Sequence, residues 1–298
     1  MPAAPASAHG GDTPASTSFR TRVGGVTPAT PGLSVAAIEA GARLELTNDT
    51  GRTVEVLGYS EEPYLEVRPD GTYENVRSPA AYLNRTLAGD TPVPADADAT
   101  APPQWRRVSG DRTVRWHDQR THWMGDGLPP AAAADPGGTH RIRDWVVPLR
   151  QEATTLEVRG TLDYLPPPRA WLWWAGVLLT GLLAFRFPWL GGVAGVALIA
   201  TGVLQTIESA APVVMFAAGL FGIVTVAVRQ SPFVVTLGGI VLAIFGGLVD
   251  VSVFGAAVVP VAGPYWIARA AVMLAIGAGL GMAAAGTVRL RKVDRVVA

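Results

Sequence analysis

Residues 166–189, PPPRAWLWWAGVLLTGLLAFRFPW, divide this chain into two parts that suit different solvents. The three prolines read as a stiff spacer. Trp171, Trp173 and Trp174 are amphipathic rings of the kind that sit at a membrane–water boundary, and the apolar run behind them lasts until Arg186. Four more apolar stretches follow, so that the set covers approximately 170–187, 189–207, 211–228, 232–249 and 265–288. Most approach the ~20 residues that cross a bilayer, which predicts a five-helix transmembrane bundle over 170–288.

The charges between the stretches alternate. Arg186, Arg229 and the RLRK run at 289–292 follow the first, third and fifth, whereas Glu208 and Asp250 follow the second and fourth. Basic residues mark the cytoplasmic side of a membrane. A multi-pass arrangement with the tail 289–298 inside and the N-terminal half outside satisfies each boundary. The segment VSVFGAAVVPVAGP, 251–264, is short and contains Pro260 and Pro264, so it reads as a surface-lying or re-entrant connection. Arg269 lies about one turn inside the last stretch, at the level of Asp250 and Glu208, and suits a membrane ion pair with either or a snorkelling side chain. Gly191/Gly195 and Gly277/Gly281 are small-xxx-small pairs that let helices approach closely, within one chain or between copies in a homo-oligomer.

The composition agrees with this division. The chain has 298 residues, 49% hydrophobic and 16% charged, with zero net charge and no cysteine. A neutral chain without a basic patch gives no reason to expect a nucleic-acid partner. The absence of cysteine removes disulfides, thiolate nucleophiles and Cys-ligated zinc. The sequence contains no G-x-S-x-G, H-E-x-x-H or phosphate-cradling glycine loop, so an enzyme ranks last among the function classes.

Upstream of the prolines, short runs alternate between apolar and polar residues: ARLELTN (42–48), TVEVLGY (53–59), YLEVRP (64–69), RTVRWH (112–117), WVVPLR (145–150) and TLEVRGTLDYL (155–165). Turn-forming and Pro/Gly-rich segments separate them, which predicts an Ig-like antiparallel β-sandwich over 20–165, a linker at 166–169 and an irregular N-terminus at 1–19. NDTG at 48–51 reads as the turn of a hairpin. The stretch 58–82 gathers Tyr59, Tyr64, Tyr73, Tyr82, Glu61, Glu62 and Asn75, which line a ligand groove or, more often in such domains, stitch strand ends together.

The chemistry-bearing motif is RWHDQRTHWM, 115–124, which is nearly palindromic. As a hairpin with a four-residue loop it sets His117 opposite His122 and Met124 opposite Arg115 on one face, with Trp116 and Trp123 on the other. Two facing imidazoles and a thioether point to copper, and His140 is a further candidate ligand. The competing reading stacks these histidines against tryptophan and hydrogen-bonds them to Asp118 or Asp144. At the N-terminus, ASA at 6–8 has the small-x-small pattern of a signal-peptidase site, and equally that of Ala/Pro-rich disorder. A cut after Ala8 would free the α-amine of His9, which with its imidazole chelates Cu(II).

The ASA-His junction resembles the mature start of the periplasmic copper carriers of the copper-resistance C class. The stretch GLSVAAIEAGARLELTNDTGRTVEVLGYSEEPYLEVRPDGTYENVRSPAAYLN with WHDQRTHWM resembles a group of actinobacterial integral membrane proteins that carry an exported β-domain. That resemblance implies export beside copper-handling neighbours. The expectation is therefore an integral protein of the bacterial cell envelope whose exported β-domain binds copper. The second reading is a scaffolding module that recruits another envelope or copper-handling membrane protein, and the third is a transporter component.

Overall fold

The computed structural model describes residues 15–206, 213–227 and 231–297. Phe19–Leu165 form one compact unit; Pro166–Ala298, with Ala15–Ser18, form the other. His9, the Ala8–His9 junction, Glu208 and Arg229 lie outside the described residues.

The first unit is all antiparallel apart from short turns of helix. Its strands are β1 (Phe19–Thr27), β2 (Leu33–Ile38), β3 (Arg43–Asn48), β4 (Val54–Leu57), β5 (Pro63–Arg68), β6 (Gly71–Asn75), β7 (Trp105–Ser109), β8 (Thr113–Trp116), β9 (His140–Gln151) and β10 (Thr154–Tyr164). The short helices α1 (Ala80–Leu83) and α2 (Pro130–Ala134) lie between strands. Seven strands form one sheet in the order β1-β10-β9-β4-β5-β6-β7, and three form a second in the order β2-β3-β8. This is a two-sheet β-unit, but its division of strands differs from that of an Ig domain. Leu44, Leu46, Val114 and Trp116 from the small sheet meet Val56, Val67, Val147, Leu149 and Val158 from the large one in a single buried core.

Each of the six alternating runs overlaps a strand. NDTG, however, is not a hairpin turn, because β3 and β4 belong to different sheets. It is a corner, and buried Asn48 holds it. The Asn48 amide donates to the carbonyls of Arg52 and Val67, both at 2.7 Å, and its Oδ1 accepts from the amide and hydroxyl of Thr50. A side chain that bonds three residues at once, two in the corner and one in β5, turns the chain between layers without backbone pairing.

In the second unit the apolar stretches are helical: α3 (Ala170–Arg186), α4 (Leu190–Thr206), α5 (Val213–Ala227), α6 (Pro232–Phe245) and α7 (Tyr265–Val297). The expected five-helix transmembrane bundle is nevertheless corrected. Over the described residues, the helices α3 to α6 cover 17, 17, 15 and 14 residues, below or at the lower edge of a bilayer crossing. Among the described residues one helix, Tyr265–Lys292, is long and apolar enough to cross a membrane, and the bent pair Pro232–Phe245 and Leu248–Phe254 would add at most one more. A multi-pass arrangement is thus not supported. Hydropathy counts apolar residues through a helix break. Here Gly246 and Gly247 end α6 where a Cβ would lie 2.5 Å from Leu198 Cδ1 and 2.3 Å from Ile276 Cγ1 respectively.

The long helix α7 is the hub of this unit, packed against α3, α4 and α6. Its small residues make those crossings close. A Cβ at Gly281 would lie 2.3 Å from the Gly181 carbonyl, and one at Gly279 would lie 2.6 Å from the Gly239 carbonyl. Gly195 likewise meets the Gly219 carbonyl at 2.4 Å, so the glycine pairs noted in the sequence are used in contacts within the chain. Thr17 pairs with Val258 through backbone hydrogen bonds of 2.9 and 2.8 Å, which attaches Ala15–Ser18 to the helical unit.

Candidate functional site

The motif 115–124 does not form a hairpin. Strand β8 ends at Trp116, paired with Leu44 of β3, and the chain turns through a short 3-10 segment, Gln119–Thr121. The cause is Asp118, whose carboxylate accepts from the Arg120 backbone amide at 3.1 Å and caps that turn. Trp116 is buried in the core, and its indole N–H donates to Asp118 Oδ2 at 3.1 Å.

Arg120 then folds back on Asp118 in a two-pronged pair, Nε to Oδ1 at 2.8 Å and Nη2 to Oδ2 at 2.7 Å. The rest of its guanidinium donates to the carbonyls of Gly58 (3.2 Å) and Leu57 (3.1 Å), which bolts the turn onto the end of β4. Asp118 is fully buried. Burial works against the Arg120 charge, but the hydrogen bond and charge of Asp118 outweigh it and hold the guanidinium above its ordinary pKa. Below lies Tyr59, whose ring is 5.0 Å from the Arg120 guanidinium carbon and whose hydroxyl accepts from the Gln119 amide and donates to Asn84 Oδ1. Burial first, and the Asp118 charge second, push the Tyr59 phenol up to about 12.

The histidines sit against this hub. His117, expected on an outward face, is 4% exposed. Its Nδ1 donates to the Ala42 carbonyl at 2.7 Å, and its Nε2 accepts from Arg43 Nε at 3.2 Å, which requires the neutral Nδ1–H tautomer. Burial first, and then neighbouring His117, push the His122 imidazole down to about 4. The His122 carbonyl accepts from the Arg143 guanidinium. The Nε2 lone pair that a metal would take on His117 is already engaged.

Met124 points into solvent, 43% exposed. His140 lies at the start of β9, 2.7 Å from the Asp135 carbonyl and stacked on Tyr164. Among the described residues no three His, Cys, Asp or Glu side chains converge as a metal-binding group. The tyrosine-rich stretch 58–82 stitches loops to strands. Tyr82 donates to the Val76 carbonyl, Tyr73 to Asp70, and Asn75 to the Pro63 carbonyl. Sequence reasoning missed Arg120 as the centre of this arrangement. The available signal was Asp-x-Arg directly after a strand, the pattern of a self-capped turn.

Arg269 suits, from the sequence, a membrane ion pair with Asp250 or Glu208 or a snorkelling side chain. It is 8% exposed, and its described hydrogen bonds go instead to backbone carbonyls: Val253 at 2.9 Å, Ala256 at 2.7 Å and Ala257 at 3.1 Å. The reason is geometric. The segment Leu248–Phe254 is 3-10 helix and ends in carbonyls with no helical partner, which a guanidinium fork can cap together. Asp250 lies within that segment, and Glu208 is outside the described residues. Arg269 staples the connection between α6 and α7.

Comparison of the chain with known protein families, with curated proteins and with solved structures finds no match.

Proposed function

We propose that this protein is a membrane-anchored adaptor of the cell envelope. In this reading α7 alone crosses the bilayer and the shorter apolar helices α3, α4 and α6 pack against it. The β-unit faces the exterior and binds another envelope protein through its surface. The observation that carries the reading is the outer surface of the helical unit, where Leu178, Leu182, Val213, Phe233 and Trp266 are each more than 60% exposed. Water does not favour so many uncovered large side chains on one unit, whereas acyl chains do. Arg289, Arg291 and Lys292 at the end of α7 favour a cytoplasmic C-terminus, and one crossing then leaves the β-unit outside. A binding surface is favoured over a metal centre because His117 is bonded at both ring nitrogens.

The chain has no cysteine, which makes single-cysteine probes clean. Asp126→Cys, in an exposed loop, should react with a membrane-impermeant maleimide on intact cells, and Asp294→Cys only after permeabilisation. The reverse pattern overturns the sidedness. Photo-crosslinking from Val108, exposed on the edge strand β7, should give one discrete adduct that survives a His117→Ala/His122→Ala exchange. No adduct from this or other exposed β-unit positions overturns the adaptor role.

A further inference from the structure

The outer face of β1, β10 and β9 carries an arginine cluster that its carboxylates do not neutralise. Register places Arg20 opposite Asp163 in β10, and Asp163 opposite Arg141 in β9. Alternation along β1 turns Thr21 inward, where it bonds the Thr121 carbonyl, and Arg20 and Arg22 outward. Asp163 is held by Arg141, Nε to Oδ1 at 2.5 Å, and Arg141 is held in turn by Asp144 at 2.7 Å. The guanidiniums of Arg22 and Arg20 stand 3.8 and 3.9 Å from the same Asp163, beyond hydrogen-bond reach. Arg20 Nε is buried with no hydrogen-bond partner. Three cations thus share two anions, and two guanidinium forks keep donors to spare.

We propose that Arg20 and Arg22 bind the phosphate of an anionic phospholipid headgroup. Planar forks of N–H donors match phosphate oxygens in pairs. The membrane is the favoured source of that phosphate because of how the chain is connected. Phe19 and Tyr164 are register partners, so the chain enters β1 and leaves β10 at the same end of the sheet, and both passages lead into the helical unit. Tyr164 is seven residues from the exposed interfacial tryptophan Trp171, a reach of at most about 25 Å. This inference rests on the membrane anchorage proposed above.

The test uses the full chain in non-ionic detergent, titrated with phosphatidylglycerol or phosphatidylcholine and read by native mass spectrometry. Wild type should retain phosphatidylglycerol preferentially, and each arginine removed should weaken retention about fivefold. Arg20→Gln/Arg22→Gln should therefore bind both lipids alike. Arg22→Gln alone, which loses only a long ion pair, keeps the test decisive if the double variant melts early. Equal retention of both lipids by wild type, or undiminished phosphatidylglycerol retention by a folded Arg22→Gln, overturns the proposal. So does full displacement of the lipid by millimolar inorganic phosphate, which would mark a free-anion site. Release of the chain from membranes by alkaline carbonate would instead strike the anchorage itself, and is read separately from lipid selectivity.

Discussion

Asp118 and Arg120, two residues apart, form a buried two-pronged pair that also engages Trp116 and the carbonyls of Leu57 and Gly58. Removing one partner of a buried, hydrogen-bonded pair strands the other charge, at a cost of about 3–5 kcal/mol. Asp118→Ala should therefore lower the thermal midpoint of the full chain's β-unit transition by roughly 10 °C, followed by tryptophan fluorescence. His122 supplies a pH dependence. Its imidazole titrates near 4 when folded and near 6.5 when exposed, so between those values the unfolded chain holds more protons. Stability is full above pH 6.5 and falls as pH drops toward 4, by up to about 3 kcal/mol, and His122→Gln should flatten that part of the profile. Because His117 is bonded at both nitrogens, Cu(II) titration should show the same weak binding for wild type and His117→Ala/His122→Ala. A stoichiometric site present only in wild type would restore the copper reading. The motif was visible as unusual in the sequence; its role was not, because a palindrome suggests a symmetric hairpin while one capping carboxylate breaks the symmetry.

At the scale of elements, close approach decides which substitutions matter. Gly160 in β10 faces Trp145 of β9, and a Cβ there would sit 2.1 Å from the Trp145 ring and 2.3 Å from the Arg22 carbonyl. The carbonyl belongs to β1 and cannot yield without opening the sheet. Gly160→Ala should cost about 1–3 kcal/mol or more, seen as a lower midpoint with faster amide exchange in β1. Gly279→Leu should do the same to the crossing of α6 and α7, where a Cβ would meet the Ala243 amide at 2.6 Å. The strands read from alternation were legible because each buries one face. Three of the unread strands, β1, β6 and β7, were not, since FRTRVGGVT, GTYEN and WRRVS offer few apolar residues in alternation, and β1 also carries a register shift at Val23–Gly25.

At the scale of the whole molecule, the two units differ in what they leave exposed, and the helical unit holds one helix long and apolar enough to cross a membrane among the described residues. Membranes from expressing cells should retain the chain through alkaline carbonate extraction and release it to detergent. Recovery in the carbonate supernatant would remove the anchor. The amino-acid order alone determined the boundary at the three prolines, the β character of the first part and the apolar helical character of the second, because solvent preference and periodicity are carried by neighbouring residues. Only the tertiary structure decided which strands share a sheet, that the apolar run of α6 breaks at Gly246 and Gly247, and that Arg120 and Arg269 serve carbonyls of other segments. Those outcomes depend on distances between segments remote in sequence, and no local pattern records a distance.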